Sequence, residues 1–336
     1  MLLNSVNGPL GSQDLGKTLM HEHLVGGFAG WQADSRTPAP DRRRIIDVCV
    51  DRIEELKSAG FATLLDPCPN DASRDVDIMG EVAARTGFNI LFATGLYLDL
   101  YAGPHWKARL AIDPDGVKSL TDLYVTELTD GVGSTGLKAA VIKVATGKAP
   151  FTEFEQKVME AAAAASNATG APIITHTEAV DGELQLKALT DRGVPAHRVI
   201  VGHCCGNPDH HYHEAIAKAG AYVGFDRFGL EYIIPDETRA QSVAAMLRAG
   251  RRDQVILSHD CVFHMFGQMS SDPQLESMFT AFGPLHISRV IAPRLQELGV
   301  APAEMDHLLY ENPRRYFEGA AEHRPRTNGI GEALAV

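Results

Sequence analysis

The chain lacks any long hydrophobic run. No apolar stretch in its 336 residues approaches the roughly 20 needed to cross a bilayer, which excludes a membrane-spanning helix, and no membrane partner is expected. It has no C-x-x-C motif, and its five cysteines (49, 68, 204, 205 and 261) are odd in number, with Cys204 and Cys205 adjacent. That pattern is a poor disulfide framework and fits a reducing compartment. The first residues, Met1-Leu-Leu-Asn-Ser-Val-Asn-Gly, have neither a basic segment nor a continuous apolar one, so a signal peptide is not expected and the cytoplasm is. Positive charge is in deficit. A formal net charge of −12 repels phosphate backbones, so no nucleic-acid partner is expected. There is no Gly-x-Gly-x-x-Gly after the first apolar run, which counts against a dinucleotide-binding open sheet. No linker-like stretch divides the chain, and no repeat is visible beyond an alternation of strand and helix.

What is present is that alternation. With 45% hydrophobic and 22% charged residues, the composition is that of a soluble globular enzyme with a sizeable core. Short apolar runs predict strands at Thr18–His23, Ala62–Asp66, Ile90–Thr94, Ala140–Val144, Pro172–His176, Val199–His203, Ala221–Phe225 and Val255–Ser258. Helical periodicity fills gaps between them at Arg42–Ser58, Phe151–Ala168, Gly182–Asp191, Tyr212–Ala219 and Asp236–Ala249, with a Thr152-x-x-Glu155 capping box in the second. Eight β-α units in about 300 residues predict an α/β chain folded as one (β/α)8 TIM barrel over residues 1–322. Residues 323–336 lack periodicity and are expected to form a flexible tail. The segment Asp260–His286, rich in Met and Phe, reads as a long apolar loop.

Six chemistry-bearing residues end strand candidates: His21 and His23 on the first, Lys143 on the fourth, His176 on the fifth, His203 on the sixth and Asp260 on the eighth. On a barrel these ends share the catalytic face. Residues two apart on one strand share a side, so His21 and His23 are expected to point together as a metal clamp. Alone, the pair is a weak signal. Lys143, in Ala-Ala-Val-Ile-Lys143-Val-Ala, is the odd member, since lysine is rarely buried unpaired and an ammonium would repel nearby cations. Carboxylation by CO2 removes that conflict by turning the amine into an anionic ligand. The bland alternatives are a snorkelling Lys143 and an Asp260 that caps a helix. His259 should face away from Asp260, and Cys204 and Cys205 should be buried small residues. His210-His211-x-His213 reads as a solvated tract at a helix start.

The ordered set Met20-His-Glu-His23, Lys143, Thr175-His-Thr-Glu178, Gly202-His203 and Ser258-His-Asp260 resembles the phosphotriesterase family of the amidohydrolase superfamily, over nearly the whole chain to Asn312-Pro-Arg314. The resemblance implies a binuclear metal centre. His21, His23 and Asp260 would hold one divalent ion and His176 and His203 the other, bridged by carboxylated Lys143 and a hydroxide. Zinc is the first expectation, with iron, cobalt or manganese as alternatives. Tyr97, in Ala93-Thr-Gly-Leu-Tyr97, and Arg227, in Gly224-Phe-Asp-Arg227, are similar to the pattern of the phosphotriesterase-like lactonases. The implied function is opening of a hydrophobic lactone, such as an N-acyl homoserine lactone of quorum quenching or another γ- or δ-lactone. Phosphotriester or other ester hydrolysis on the same metals is the alternative, and a homodimer is implied. Tyr97, Arg227 and Asp260 would be catalytic, although Tyr97 also suits a barrel mouth and Arg227 could pair with Asp226 or Glu231. Cys204-Cys205-Gly206-Asn207, where lactonases commonly carry Leu-Gly-Asp, and the apolar loop after Asp260 depart from the pattern and leave the lactone open.

Overall fold

A computed structural model describes residues 1–268 and 283–319. The N-terminus forms a hairpin, β1 (Leu2–Ser5) with β2 (Gly8–Gly11). Then β3 (Lys17–Leu19) starts the barrel, followed after a bend by β4 (Glu22–Gly26). The remaining barrel strands are β5 (Phe61–Asp66), β6 (Asn89–Gly95), β7 (Val141–Ala145), β8 (Ile173–His176), β9 (Val199–Val201), β10 (Tyr222–Phe225) and β11 (Val255–Leu257), with β12 (Cys261–Met265) beyond the last. Eight of these, β3 and β5 to β11, pair in chain order, and every pairing is parallel. The helices α1 (Arg42–Ser58), α2 (Val76–Thr86), α3 (Pro104–Ile112), α4 (Gly116–Thr129), α5 (Glu153–Thr169), α6 (Gly182–Thr190), α7 (His210–Lys218) and α8 (Asp236–Arg248) lie between strands. This is a (β/α)8 barrel, as the alternation predicts. The capping box at Thr152 and Glu155 starts α5.

Strand parity sorts the core. Leu65, Leu91, Val141, Ile174, Ile200, Tyr222 and Ile256 pack together with Leu3 and Phe317 in one cluster. Their neighbours Leu64, Ile90, Ile142, Ile173, Val199, Val223 and Val255 join helix residues such as Ile53, Val82 and Val158 in the other. The first set fills the barrel and the second seals it to the helices, since alternate residues face opposite sides. Lys143 follows Val141 on the inward parity, His176 follows Ile174, and Asp226 lies on the parity of Tyr222. This is how an apolar strand delivers a polar group to the barrel mouth.

Two expectations change here. Thr18–His23 is not one strand. The chain bends at Met20–His21, so simple alternation does not align the two histidines. Nor is the start of Asp260–His286 a loop. Cys261–Met265 is a strand paired in parallel with β4, Cys261 opposite Glu22 and Met265 opposite Gly26. This also removes the helix that Asp260 might have capped. Among the described residues β3 and β11 share no ladder, and the barrel closes instead through this outer pair and two contacts. His21 N–H donates to Ser258 Oγ at 2.9 Å, and Asp260 N–H donates to the His21 carbonyl at 3.0 Å. Most of the Met- and Phe-rich stretch (269–282) and the expected tail (323–336) lie outside the described residues. No helix among the described residues is long and apolar enough to cross a membrane.

Candidate metal centre

The six strand-end residues converge at the C-terminal mouth of the barrel. His21, Lys143, His176 and His203 are buried, and His23 and Asp260 are nearly so. Nε2 of His23 lies 3.2 Å from Asp260 Oδ1, and Nε2 of His21 lies 3.5 Å from the same oxygen. Across the mouth the rings of His176 and His203 are 4.5 Å apart, and His203 Nε2 is 3.9 Å from Asp260 Oδ2. Lys143 Nζ sits 3.2 Å from His21 Nε2. Gly95 lets the backbone of β7 approach β6 closely at this point: a Cβ there would meet the Lys143 carbonyl oxygen at 2.0 Å, and its φ of +150° is rare for other residues.

Carboxylates behind the histidines set their orientation. Asp226 Oδ2 is 2.9 Å from His21 Nδ1, while its Oδ1 is 3.0 Å from His203 Nδ1 and accepts the His203 N–H at 2.9 Å. Asp66 Oδ1 is 3.1 Å from His23 Nδ1, and its Oδ2 accepts the Leu24 N–H. Each buried carboxylate draws the imidazole proton to Nδ1 and leaves the Nε2 lone pair facing the mouth, as an outer carboxylate does for metal-bound histidine. Glu178 Oε1 lies 3.0 Å from His176 Nε2.

Protonation preferences keep three of the four imidazoles neutral. Burial lowers the pKa of His203 well below the ordinary value and takes His176 down to about 4. Burial, then the Lys143 charge, lowers His21. Burial also lowers the Lys143 amine to about 8. His23 moves the opposite way. Burial opposes its charge, but Asp260 and Asp66 outweigh it and raise its pKa. Asp260 is held well below the usual carboxylate range, because His203, His21 and Arg227 outweigh the burial that opposes ionisation. The neutral imidazoles of His21, His176 and His203, with His23 and the Asp260 carboxylate beside them, form a hard-to-borderline donor set that fits divalent ions. His21, His23 and Asp260 offer their ligand atoms within 4.8 Å of one another.

A model of the phosphotriesterase family matches residues 1–317. The phosphotriesterase homology protein of Mycobacterium tuberculosis is 35% identical, with 94% of this chain and 97% of that protein covered. The chain belongs to the phosphotriesterase family. A solved organophosphorus hydrolase from Deinococcus radiodurans superposes with a TM-score of 0.90 at 33% identity, covering 94% of this chain and 97% of that one. A second solved structure, of organophosphate hydrolysis activity engineered from a weak promiscuous lactonase template, also gives 0.90 at 32% identity, covering 94% and 100%. Phosphotriesterase-family proteins use a binuclear metal centre, so this chain is a metal-dependent hydrolase whose His and Asp residues are positioned to bind metal.

Above the donors lies a cavity of about 460 Å³. Tyr97 and Arg227 both line it, beside apolar Phe28, Leu230, Ile233 and Met265. Tyr97 stands edge-on to His176, ring centroids 5.2 Å apart, and its N–H is held by Asp71 Oδ1 at 2.9 Å. Arg227 donates from Nε to Asp260 Oδ2 at 2.9 Å, a partner different from the Asp226 or Glu231 considered from sequence. His259 turns away from the mouth toward Glu22, and both cysteines after His203 are buried. The His210 tract is only partly solvated: His211 is exposed, but His213 is buried, with Nε2 at 3.0 Å from the Cys204 carbonyl. Sequence reasoning missed Asp66, Asp226 and Glu22 as supports. The available signal for Asp66 and Asp226 was an acidic residue at the very end of, or just beyond, a buried strand.

Proposed function

We propose that this protein opens the ring of hydrophobic lactones. His21, His23 and Asp260 would hold one divalent ion, zinc in the first instance, and His176 and His203 the second, with carboxylated Lys143 shared between them. Bound ions would acidify a water and polarise the substrate carbonyl. Lys143 suits carboxylation because burial brings its pKa to about 8 and makes neutral amine available. The amine lone pair attacks the CO2 carbon, and one proton leaves as the carbamate forms.

The observation that carries the reading is the pairing of Arg227 with Asp260 beneath an apolar cavity flanked by Tyr97. Asp260 is deprotonated and aimed, so it can take a proton from the attacking water and return it to the ring oxygen that leaves as an alcohol. Arg227 keeps that carboxylate fixed. Burial raises the pKa of the Tyr97 phenol, which stays protonated and can donate to the substrate's acyl oxygen. The apolar walls would take the acyl chain or ring substituent. The lactonase template among the structural relatives supports this choice; the organophosphorus hydrolase supports phosphotriesters as the second reading. The two separate on kcat/KM for matched lactone and phosphotriester panels with metal-reconstituted protein. The lactone reading expects the higher values for lactones, and a phosphotriester preference would overturn it.

A further inference from the structure

Glu22, the first residue of β4, lies between His21 and His23 in the chain and is completely buried. Its Oε1 accepts from the Ser258 hydroxyl at 2.8 Å, from the His259 N–H at 2.9 Å and from His259 Nδ1 at 2.7 Å. Its Oε2 accepts from the Cys261 N–H at 3.2 Å. The intervening Asp260 N–H goes to the His21 carbonyl. Three successive backbone donors, 259 to 261, therefore end on residues 21 and 22. The Ile287 N–H donates to His259 Nε2 at 2.9 Å, which places the His259 proton on Nδ1, toward Glu22.

What this grip encloses is Asp260, whose φ is +57°. Non-glycine residues seldom adopt that left-handed conformation, and they hold it only where the surroundings over-determine it. The bend turns the Asp260 side chain back over the mouth, toward His23, His21 and Arg227, rather than along the strand. Ser258 completes the link, since the hydroxyl that donates to Glu22 accepts the His21 N–H.

We propose that Glu22 is a positioning residue for the metal centre: by binding the backbone on both sides of Asp260 and, through Ser258, that of His21, it brings ligands from the two ends of the barrel, the β3–β4 bend and the β11–β12 turn, to one ion. This rests on the reading of His21, His23 and Asp260 as ligands. A clasp serving only barrel closure would stabilise the fold without affecting the ion.

The full-length protein distinguishes these with Co²⁺ as the probe. Glu22→Gln keeps the size of the side chain but turns an N–H-bearing amide toward donors. Expected are Co²⁺ binding about 10–100-fold weaker by chelator competition and an altered visible ligand-field spectrum of the bound cobalt. Ser258→Ala, which removes one arm, should shift both readouts the same way by less. Should Glu22→Gln not yield folded protein, Ser258→Ala decides on the same two readouts. A lower melting temperature with wild-type cobalt affinity and spectrum would overturn the proposal. Unmutated protein that binds no cobalt would instead remove the metal-centre reading itself.

Discussion

Asp226 serves one histidine from each proposed ion site, so a single substitution there should disturb both. In Asp226→Asn one of the two carboxylate oxygens becomes an amide NH2. The residue now accepts from His21 Nδ1 or from His203 Nδ1, but not from both, where both lie within 3.0 Å. The deprived imidazole either loses its partner or moves its proton to Nε2, the atom that faces the mouth. A hydrogen bond to a charged group contributes about 1.5–3 kcal/mol. At about 1.4 kcal/mol per factor of ten, metal binding should weaken roughly 10–150-fold. The assay is competition between the protein and a chelator of known affinity for Zn²⁺, reading both dissociation constants. Constants within about twofold of wild type would refute the claim that this carboxylate sets the ligand tautomers.

Lys143→Ala should lose bound metal and activity together, and a short carboxylic acid should partly restore both; two bound ions and full turnover in that variant would remove the carboxylated lysine. Tyr97→Phe and Arg227→Met should lower lactone kcat/KM about 10–100-fold, more than they lower metal content by elemental analysis; unchanged kinetics would take them out of the site. Away from the mouth, Arg74 meets Glu127 in a bidentate buried pair at 2.7 and 2.9 Å, and Arg74→Met should cost about 3–5 kcal/mol in urea denaturation because it strands a buried carboxylate. Burial opposes the Glu127 charge, but Arg74 outweighs it and depresses the pKa below 4.5. That stabilisation is therefore present above pH 4.5 and lost as pH falls through the lower folded value. The stability gap between wild type and Glu127→Gln should shrink below pH 4.5, and a gap independent of pH would contradict the assignment.

Much of the barrel was legible because buried parallel strands are short apolar runs. Helix α1 runs Arg42–Ser58, the limits its periodicity predicts, and most strands fall within a residue or two of their runs. The failures share a cause. His21 sits in a bend and His203 has a φ of +62°, so at both points the backbone leaves the strand that carries it to the mouth. Alternation therefore paired His21 with His23 for the wrong reason; tertiary hydrogen bonds from the His21 N–H to Ser258 and from His23 Nδ1 to Asp66 bring them together. β12 was read as loop because Cys261–Met265 follows a polar bend and gains its partner, β4, only on closure. Asp66, Asp226 and Glu22 carry no periodic signal of their own. Their function is defined by which histidine or backbone donor they meet across the barrel, information that local sequence does not contain.

The most direct test of the account is lactone turnover measured against bound metal. Protein stripped of metal and titrated with Zn²⁺ should be inactive without the ion and reach its maximum rate at two equivalents per chain. Full lactone turnover in the stripped protein, or none at two bound equivalents, would contradict a binuclear lactone-opening centre.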